Sequence, residues 1–296
     1  MFDTPVAIII FNRPDLVKGL IDQLRPVAPK NLFVIADGPR HSADEPLVRS
    51  ARQEIEAINW PANVRRIYSD INLGCKNRVV SGLEEVFRTV DRAIILEDDV
   101  WPDETFFTFC EEMLDRYETD SRIFTICSGN FVGRPVPGQS SYHFSLYGSS
   151  WGWATWRRTW QAYDSTMALW PQLRQVNWLA SHLGSLEEVQ FYQNPFDLTH
   201  AGQIDTWDYQ FLYSCWINNA LNIVPNVTLA RNVGFNRPDA THTLVDSPAA
   251  HVRAEKMKFP LKHPPAMIQS TGARQMYRQF HQGHTPRQSD IPDFFT

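Results

Sequence analysis

Through residues 1–100, short apolar runs alternate with stretches of helical spacing, a pattern that predicts a parallel sheet covered by helices. Four strands are expected: Val6–Phe11, Leu32–Ala36, Val64–Tyr68 and Ala93–Leu96. Each is rich in Val, Ile or aromatic residues and ends in polar residues or a turn signal. Between them Leu16, Val17, Leu20, Ile21 and Leu24 recur on one helical face. Leu47, Val48, Ala51, Ile55 and Ile58 do the same, as do Val79, Val80, Leu83, Val86 and Phe87. The element order is βαβαβαβ, with right-handed crossovers. Open sheets of this class bind ligands beyond the carboxyl ends of their strands, so chemistry is sought there.

From Ser140 to Trp216 this periodicity fades and most of the ten tryptophans gather. Trp151-Gly-Trp-Ala-Thr-Trp156 reads as a sugar-stacking surface or as core packing, with core packing favoured because large rings fill space well. From Asp246 onward, seven Lys/Arg face four acids, so this segment carries +3 and the remainder −8 of the net −5. Residues 246–296 are expected to form a C-terminal extension that packs over the core or stays partly disordered. Its cations allow peripheral membrane contact, although no clear amphipathic stripe supports it.

A composition of 43% hydrophobic and 21% charged residues excludes wholesale disorder, collagen and coiled coil. The negative net charge disfavours nucleic acid as a partner. The longest apolar run, Val6–Phe11, is far short of the roughly twenty residues that span a bilayer. No signal-like segment precedes it, and a cytoplasmic location is expected. Cys75, Cys110, Cys127 and Cys215 are widely spaced without a Cys-x-x-Cys pair, so they read as reduced, mostly core residues.

The sharpest chemical feature is Glu97-Asp98-Asp99, three consecutive acids directly after an apolar strand. Adjacent carboxylates resist ionising together unless a cation or hydrogen-bond donors compensate. Oxygen-only ligands suit Mn²⁺ or Mg²⁺, held by one or two carboxylates with substrate phosphates completing the shell. The plainer alternative is that these acids cap the helix expected near Glu104. At the other strand ends stand Asn12-Arg13-Pro14-Asp15, where Arg13 reads equally as a diphosphate contact or a solvated residue. Asp37-Gly38 is a turn exposing an acid able to accept hydrogen bonds from a base or ribose. In Asn72-Leu-Gly74-Cys-Lys76-Asn77-Arg78, cations at a helix start oppose its dipole and point to an anion.

Asn12-Arg13, Asp37-Gly38, Asn72-Leu-Gly74 and Glu97-Asp98-Asp99 together resemble the nucleotide-binding half of inverting GT-A glycosyltransferases, particularly family 2 and the N-acetylglucosaminyltransferase I family. Trp151-Gly-Trp153 resembles the Gly-Trp segment of the latter, and Asp205-Thr-Trp207-Asp208 its Trp-Asp segment. The resemblance covers roughly residues 4 to 245. It implies a GT-A, Rossmann-like α/β domain over 1–245, with a nucleotide-binding half (1–100) and an acceptor-binding half (101–245). It further implies that Asp37 contacts the base, Arg13 the diphosphate, Asp98 the ribose or donor sugar and Asp99 the metal, with Asp208 as catalytic base. Asn12, Lys76, Arg78 and Glu97 are then further nucleotide-sugar contacts, Trp151, Trp153 and Trp207 acceptor contacts, and His242 a second metal ligand. His242 reads equally as a hydrogen-bonded loop histidine. The family 2 Gln-x-x-Arg-Trp segment is absent, which argues against a processive polysaccharide synthase.

The implied partners are a nucleoside-diphosphate sugar, with UDP favoured by resemblance, and a glycan or lipid-linked saccharide acceptor. Inverting transfer needs a base for the acceptor hydroxyl and charge neutralisation for the leaving diphosphate. Asp205 competes with Asp208 for the first role. A nucleotidyltransferase and a non-catalytic carbohydrate-binding or degenerate protein are the alternatives. A dehydrogenase is disfavoured because no Gly-x-Gly-x-x-Gly follows the first strand.

Overall fold

A computed structural model describes residues 1–130, 140–235, 237–239 and 252–282. The expected strands form as β1 (Val6–Ile10), β2 (Asn31–Ala36), β3 (Asn63–Tyr68) and β4 (Arg92–Glu97), paired in parallel in the order β3-β2-β1-β4. Helices α1 (Pro14–Leu24), α2 (Glu45–Glu54) and α3 (Gly74–Thr89) connect them. All five apolar positions of α1 are buried. The helix begins at Pro14, whose fixed φ suits the first helical position. The helical stripe expected through Ile58 is cut short. After Glu54 the chain tightens into a 3₁₀ turn, Ile55–Ala57, and Leu47 faces solvent.

The second half extends the same sheet through β6 (Ile123–Cys127), β7 (Tyr142–Ser145), β8 (Trp153–Trp156) and β9 (Leu221–Pro225). The full order is β3-β2-β1-β4-β8-β6-β9-β7. Strand β8 is antiparallel to both β4 and β6, β7 is antiparallel to β9, and β6 is parallel to β9. The α/β class read from the sequence is thus a mixed, mostly parallel sheet. Strand β5 (Val100–Pro102) leaves it and pairs with β10 (Ala230–Asn232) as a separate two-stranded ribbon.

Because side chains alternate along a strand, Val6, Ile8 and Ile10 face one core with α1 and α4 (Glu104–Arg116). Ala7, on the opposite face, meets a second core with α3 and α9 (Asp208–Ile217). The tryptophans concentrate in the second core: Trp153 is 1% exposed, Trp160 6%, Trp207 4% and Trp216 0%. Core packing therefore accounts for Trp153 and Trp207.

The described part of the C-terminal segment straps the domain. Glu255 N–H donates to Thr228 O (2.7 Å), Met257 N–H to Thr105 Oγ1 (2.9 Å) and Ser270 N–H to Phe144 O (2.9 Å). Helix α10 (Thr271–Gln282) then meets α8 (Leu186–His200), where fully buried Glu188 accepts from the Tyr147 hydroxyl and pairs with Arg278 at 3.1 Å and Arg274 at 3.4 Å. No helix among the described residues is long and apolar enough to cross a membrane.

Candidate active site

Strand β4 runs through the buried centre of the sheet and ends at Glu97, and Asp98-Asp99 form the turn beyond it. They do not cap the following helix. Asp103 does so, accepting from Thr105 N–H at 2.9 Å. The acids are instead gathered around Arg13, which follows β1. Its guanidinium donates to both oxygens of Asp98, through Nε at 3.2 Å and through Nη2, and to Asp99 Oδ2 at 3.0 Å. Arg13 thus holds this chain's own carboxylates in place. Burial, reinforced by the charges of Asp99 and Asp98, raises Glu97 to about 8; burial raises Asp98 to about 6 against the pull of Arg13. One guanidinium is shared between Asp98 and Asp99, and the buried Asp99 Oδ1 has no hydrogen-bond partner among the described residues. No group of three His, Cys, Asp or Glu among those residues converges as a protein-only metal cage. A divalent cation shared with a diphosphate needs only one or two carboxylates, and Asp99 Oδ1 fits that requirement. His242 lies outside the described residues.

Two carboxylates occupy the amino end of α3, one from each half of the chain. Asp37, at the end of β2, accepts from Leu73 N–H (3.0 and 3.1 Å), Gly74 N–H (3.1 Å) and Asn72 Nδ2 (3.1 Å). Asp205 accepts from Cys75 N–H (2.9 Å) and Lys76 N–H (3.2 Å). The anion anticipated at this helix start is therefore supplied by the protein. Arg78 is buried near Asp37, with its Nε unpartnered among the described residues. Gly74 has φ +79°, and a Cβ there would lie 2.6 Å from Asp205 Oδ2. Gly74→Ala should cost about 2 kcal/mol through left-handed strain and loss of this approach. Asp205→Ala should cost about 1 kcal/mol, and because both act through one contact, urea denaturation of the double variant should fall short of the sum.

Asn12 also serves the scaffold, donating to Asp44 Oδ1 at 3.0 Å, while Arg40 holds the same carboxyl through Nε at 2.7 Å. Arg40, then Asn12, lower Asp44 to about 2 despite its burial. A depressed carboxylate stabilises the fold fully above its ordinary value of 3.8, and that contribution is lost as pH falls through about 2. Arg40→Ala should therefore move the acid-unfolding midpoint, followed by circular dichroism, to higher pH.

Asp208 opens α9 beside a cavity of about 300 Å³ whose lining includes Trp151, Trp153, Trp207, Tyr209, Phe211 and Leu212. Its Oδ1 accepts from the Thr206 hydroxyl and from Tyr209 N–H at 2.8 Å, whereas Oδ2 accepts no hydrogen bond from the described residues. Asp208 is close enough for its charge to act on Glu97, and the half-buried Cys75 lies among the charges of Glu97, Asp208, Asp205 and Asp37. The two acid sites thus lie within electrostatic reach of each other, although Asp208 alone of these acids lines the cavity. Trp153 and Trp207 line the cavity while almost wholly buried, whereas half-buried Trp151 stands edge-on to Phe235, with centroids 5.2 Å apart. Thr206, which fixes Asp208, and Arg237, described below, carry no sequence signal of their own, being ordinary polar residues in a turn-rich stretch.

No protein-family model and no curated protein matches this chain. Among solved structures it is similar to mouse xyloside xylosyltransferase 1 in its apo form, with 12% identity, 74% of this chain and 83% of that one covered, and a TM-score of 0.38. It is also similar to HddC from Yersinia pseudotuberculosis complexed with GMP-PN, with 11% identity, 53% and 78% covered and a TM-score of 0.33. A UDP-glucose pyrophosphorylase complexed with UDP-glucose gives 6% identity, 53% and 71% covered and a TM-score of 0.28. Likeness at this level fixes neither a reaction nor a substrate.

Proposed function

We propose that this chain is a divalent-cation-dependent, inverting glycosyltransferase that moves a sugar from a nucleoside diphosphate, with UDP the first candidate, to a hydroxyl of a glycan or lipid-linked saccharide. The observation that carries this reading is the pairing of an acid cluster at the end of β4, with one buried Asp99 oxygen left unpartnered among the described residues, and a separately held carboxylate, Asp208, that lines an aromatic cavity within electrostatic reach. A nucleotide-sugar enzyme needs an anion-tolerant donor site, and an inverting one also needs a base on the acceptor side.

Asp99 would hold Mn²⁺ or Mg²⁺ through the oxygen that Arg13 leaves free. A bound cation offsets the charge that builds on the departing diphosphate. Arg13 orients Asp98 and Asp99 toward the donor, and Glu97 and Asp98 face its ribose or sugar. Asp208 receives the acceptor proton on Oδ2, because Thr206 and Tyr209 fix its other oxygen. The tryptophan-rich cavity wall would shield that proton transfer from water, and Trp151, half-buried in that wall, would meet the acceptor.

The deciding measurement is thermal unfolding with UDP, GDP, dTDP or CMP, each with Mn²⁺ or with chelator. A ligand of the folded state at a hundredfold excess over its dissociation constant stabilises by about 2.7 kcal/mol. One nucleotide should raise the melting temperature only with Mn²⁺, and Asp99→Asn should abolish the rise. Absence of any shift in the wild-type protein would remove the donor site from this reading.

A further inference from the structure

The chain following β10 crosses directly over the acid cluster. Val233 N–H donates to Asp99 O at 2.8 Å, and Gly234 N–H to Asn232 Oδ1 at 2.7 Å. At Gly234 the backbone comes so close to Asp99 that an added Cβ would lie 2.5 Å from its Oδ2. Phe235 then meets Trp151 edge-on. Two residues further on, Arg237 takes hold of two carboxylates at once. Nη1 donates to Asp15 Oδ2 at 2.6 Å and Nη2 to Asp15 Oδ1 at 3.2 Å, while Nε and Nη2 donate to Asp239 at 2.7 and 2.8 Å. Asp15 lies in the first turn of α1, two positions beyond Arg13.

We infer that Arg237 is a positioning residue for the donor carboxylates. Together with Asp15 it closes a ring that runs from Asp99 to Arg13, through the first turn of α1 to Asp15, across to Arg237 and back along the chain to Gly234 and Asp99. The inference rests on the donor-site reading above for its functional meaning, but its geometry stands independently. Only a guanidinium supplies the planar fork that engages both carboxylates. Exposed ion pairs contribute little to global stability, so this pair acts locally, on where residues 233–235 sit against Asp99. Released, the segment leaves a smaller fraction of molecules with Asp99 set for ligand, and apparent affinity falls by that fraction.

Hydrogen–deuterium exchange and nucleotide titration of the full chain test this, using Arg237→Ala, Arg237→Lys and Asp15→Asn. Without nucleotide, amides of residues 232–235 and 99–101 should exchange about tenfold faster in Arg237→Ala, with the remaining sheet unchanged. UDP with Mn²⁺, or whichever nucleotide gives the wild-type shift, should bind about fivefold or more weakly to Arg237→Ala and Asp15→Asn. Arg237→Lys should recover only part of that loss. Unchanged exchange overturns the proposal outright. Faster exchange with unaltered affinity also overturns it, by reducing Arg237 to a local structural tie. If wild-type protein binds none of the nucleotides, the donor reading fails; exchange that rises together at 232–235 and 99–101 then supports the clasp alone.

Discussion

Asp208→Asn is expected to lower turnover by roughly a hundred- to ten-thousandfold, the contribution of a positioned general base, while leaving the nucleotide-dependent thermal shift in place. Thr206 and the Tyr209 amide fix one oxygen of this carboxylate and leave the other toward the cavity, and the amide variant keeps the shape but loses the capacity to take a proton. The measurement is release of nucleoside diphosphate from the donor in the presence of acceptor, with the melting-temperature shift as a binding control. Turnover equal to wild type would exclude Asp208 as base. Asp205, three residues earlier, should behave oppositely, with stability falling and chemistry largely preserved, because both of its oxygens bind the amino end of α3.

Trp153→Ala should cost about 3–5 kcal/mol, the range for emptying a large aromatic site in a packed core. The indole is 1% exposed and stacks on Trp207 at 5.3 Å and against Phe211 at 4.8 Å. Its N–H has no partner among the described residues, so Trp153→Phe removes volume without orphaning an acceptor and should cost much less. Urea denaturation reads both differences directly. A cost below about 1 kcal/mol for the alanine variant, together with weakened acceptor use, would instead make Trp153 a binding surface.

The first four strands were legible because parallel strands covered on both faces read as unbroken apolar runs; Val6, Ala7 and Ile8 show no alternation, and all are fully buried. The end of α2 was not legible, since Ile55 keeps the helical spacing while the backbone has already tightened into 3₁₀ geometry. Strand β8 was missed for a different reason. Trp153–Trp156 is four residues long and buried on both faces, so it offers neither alternation nor a helical stripe.

At the site, the local clustering of Glu97-Asp98-Asp99 was visible as sequence. Its neutralisation was not, because Arg13 lies 85 positions from Asp98 along the chain. The same distance effect governs Asp37 and Asp205. Each looked available to a ligand, and each is taken up by backbone amides that only the folded chain brings near.

The position of β8 between β4 and β6 has a consequence for how the protein is made. Strand β4 ends at Glu97, and the neighbour that covers its open edge begins only at Trp153. At about 5–20 residues per second, a ribosome takes roughly three to ten seconds to supply it. For that interval the nascent nucleotide-binding half carries a bare edge whose middle, Ala93–Leu96, is apolar, the kind of surface that pairs with other chains. In the finished molecule β8 closes that edge, so the exposure belongs to synthesis and not to the folded state.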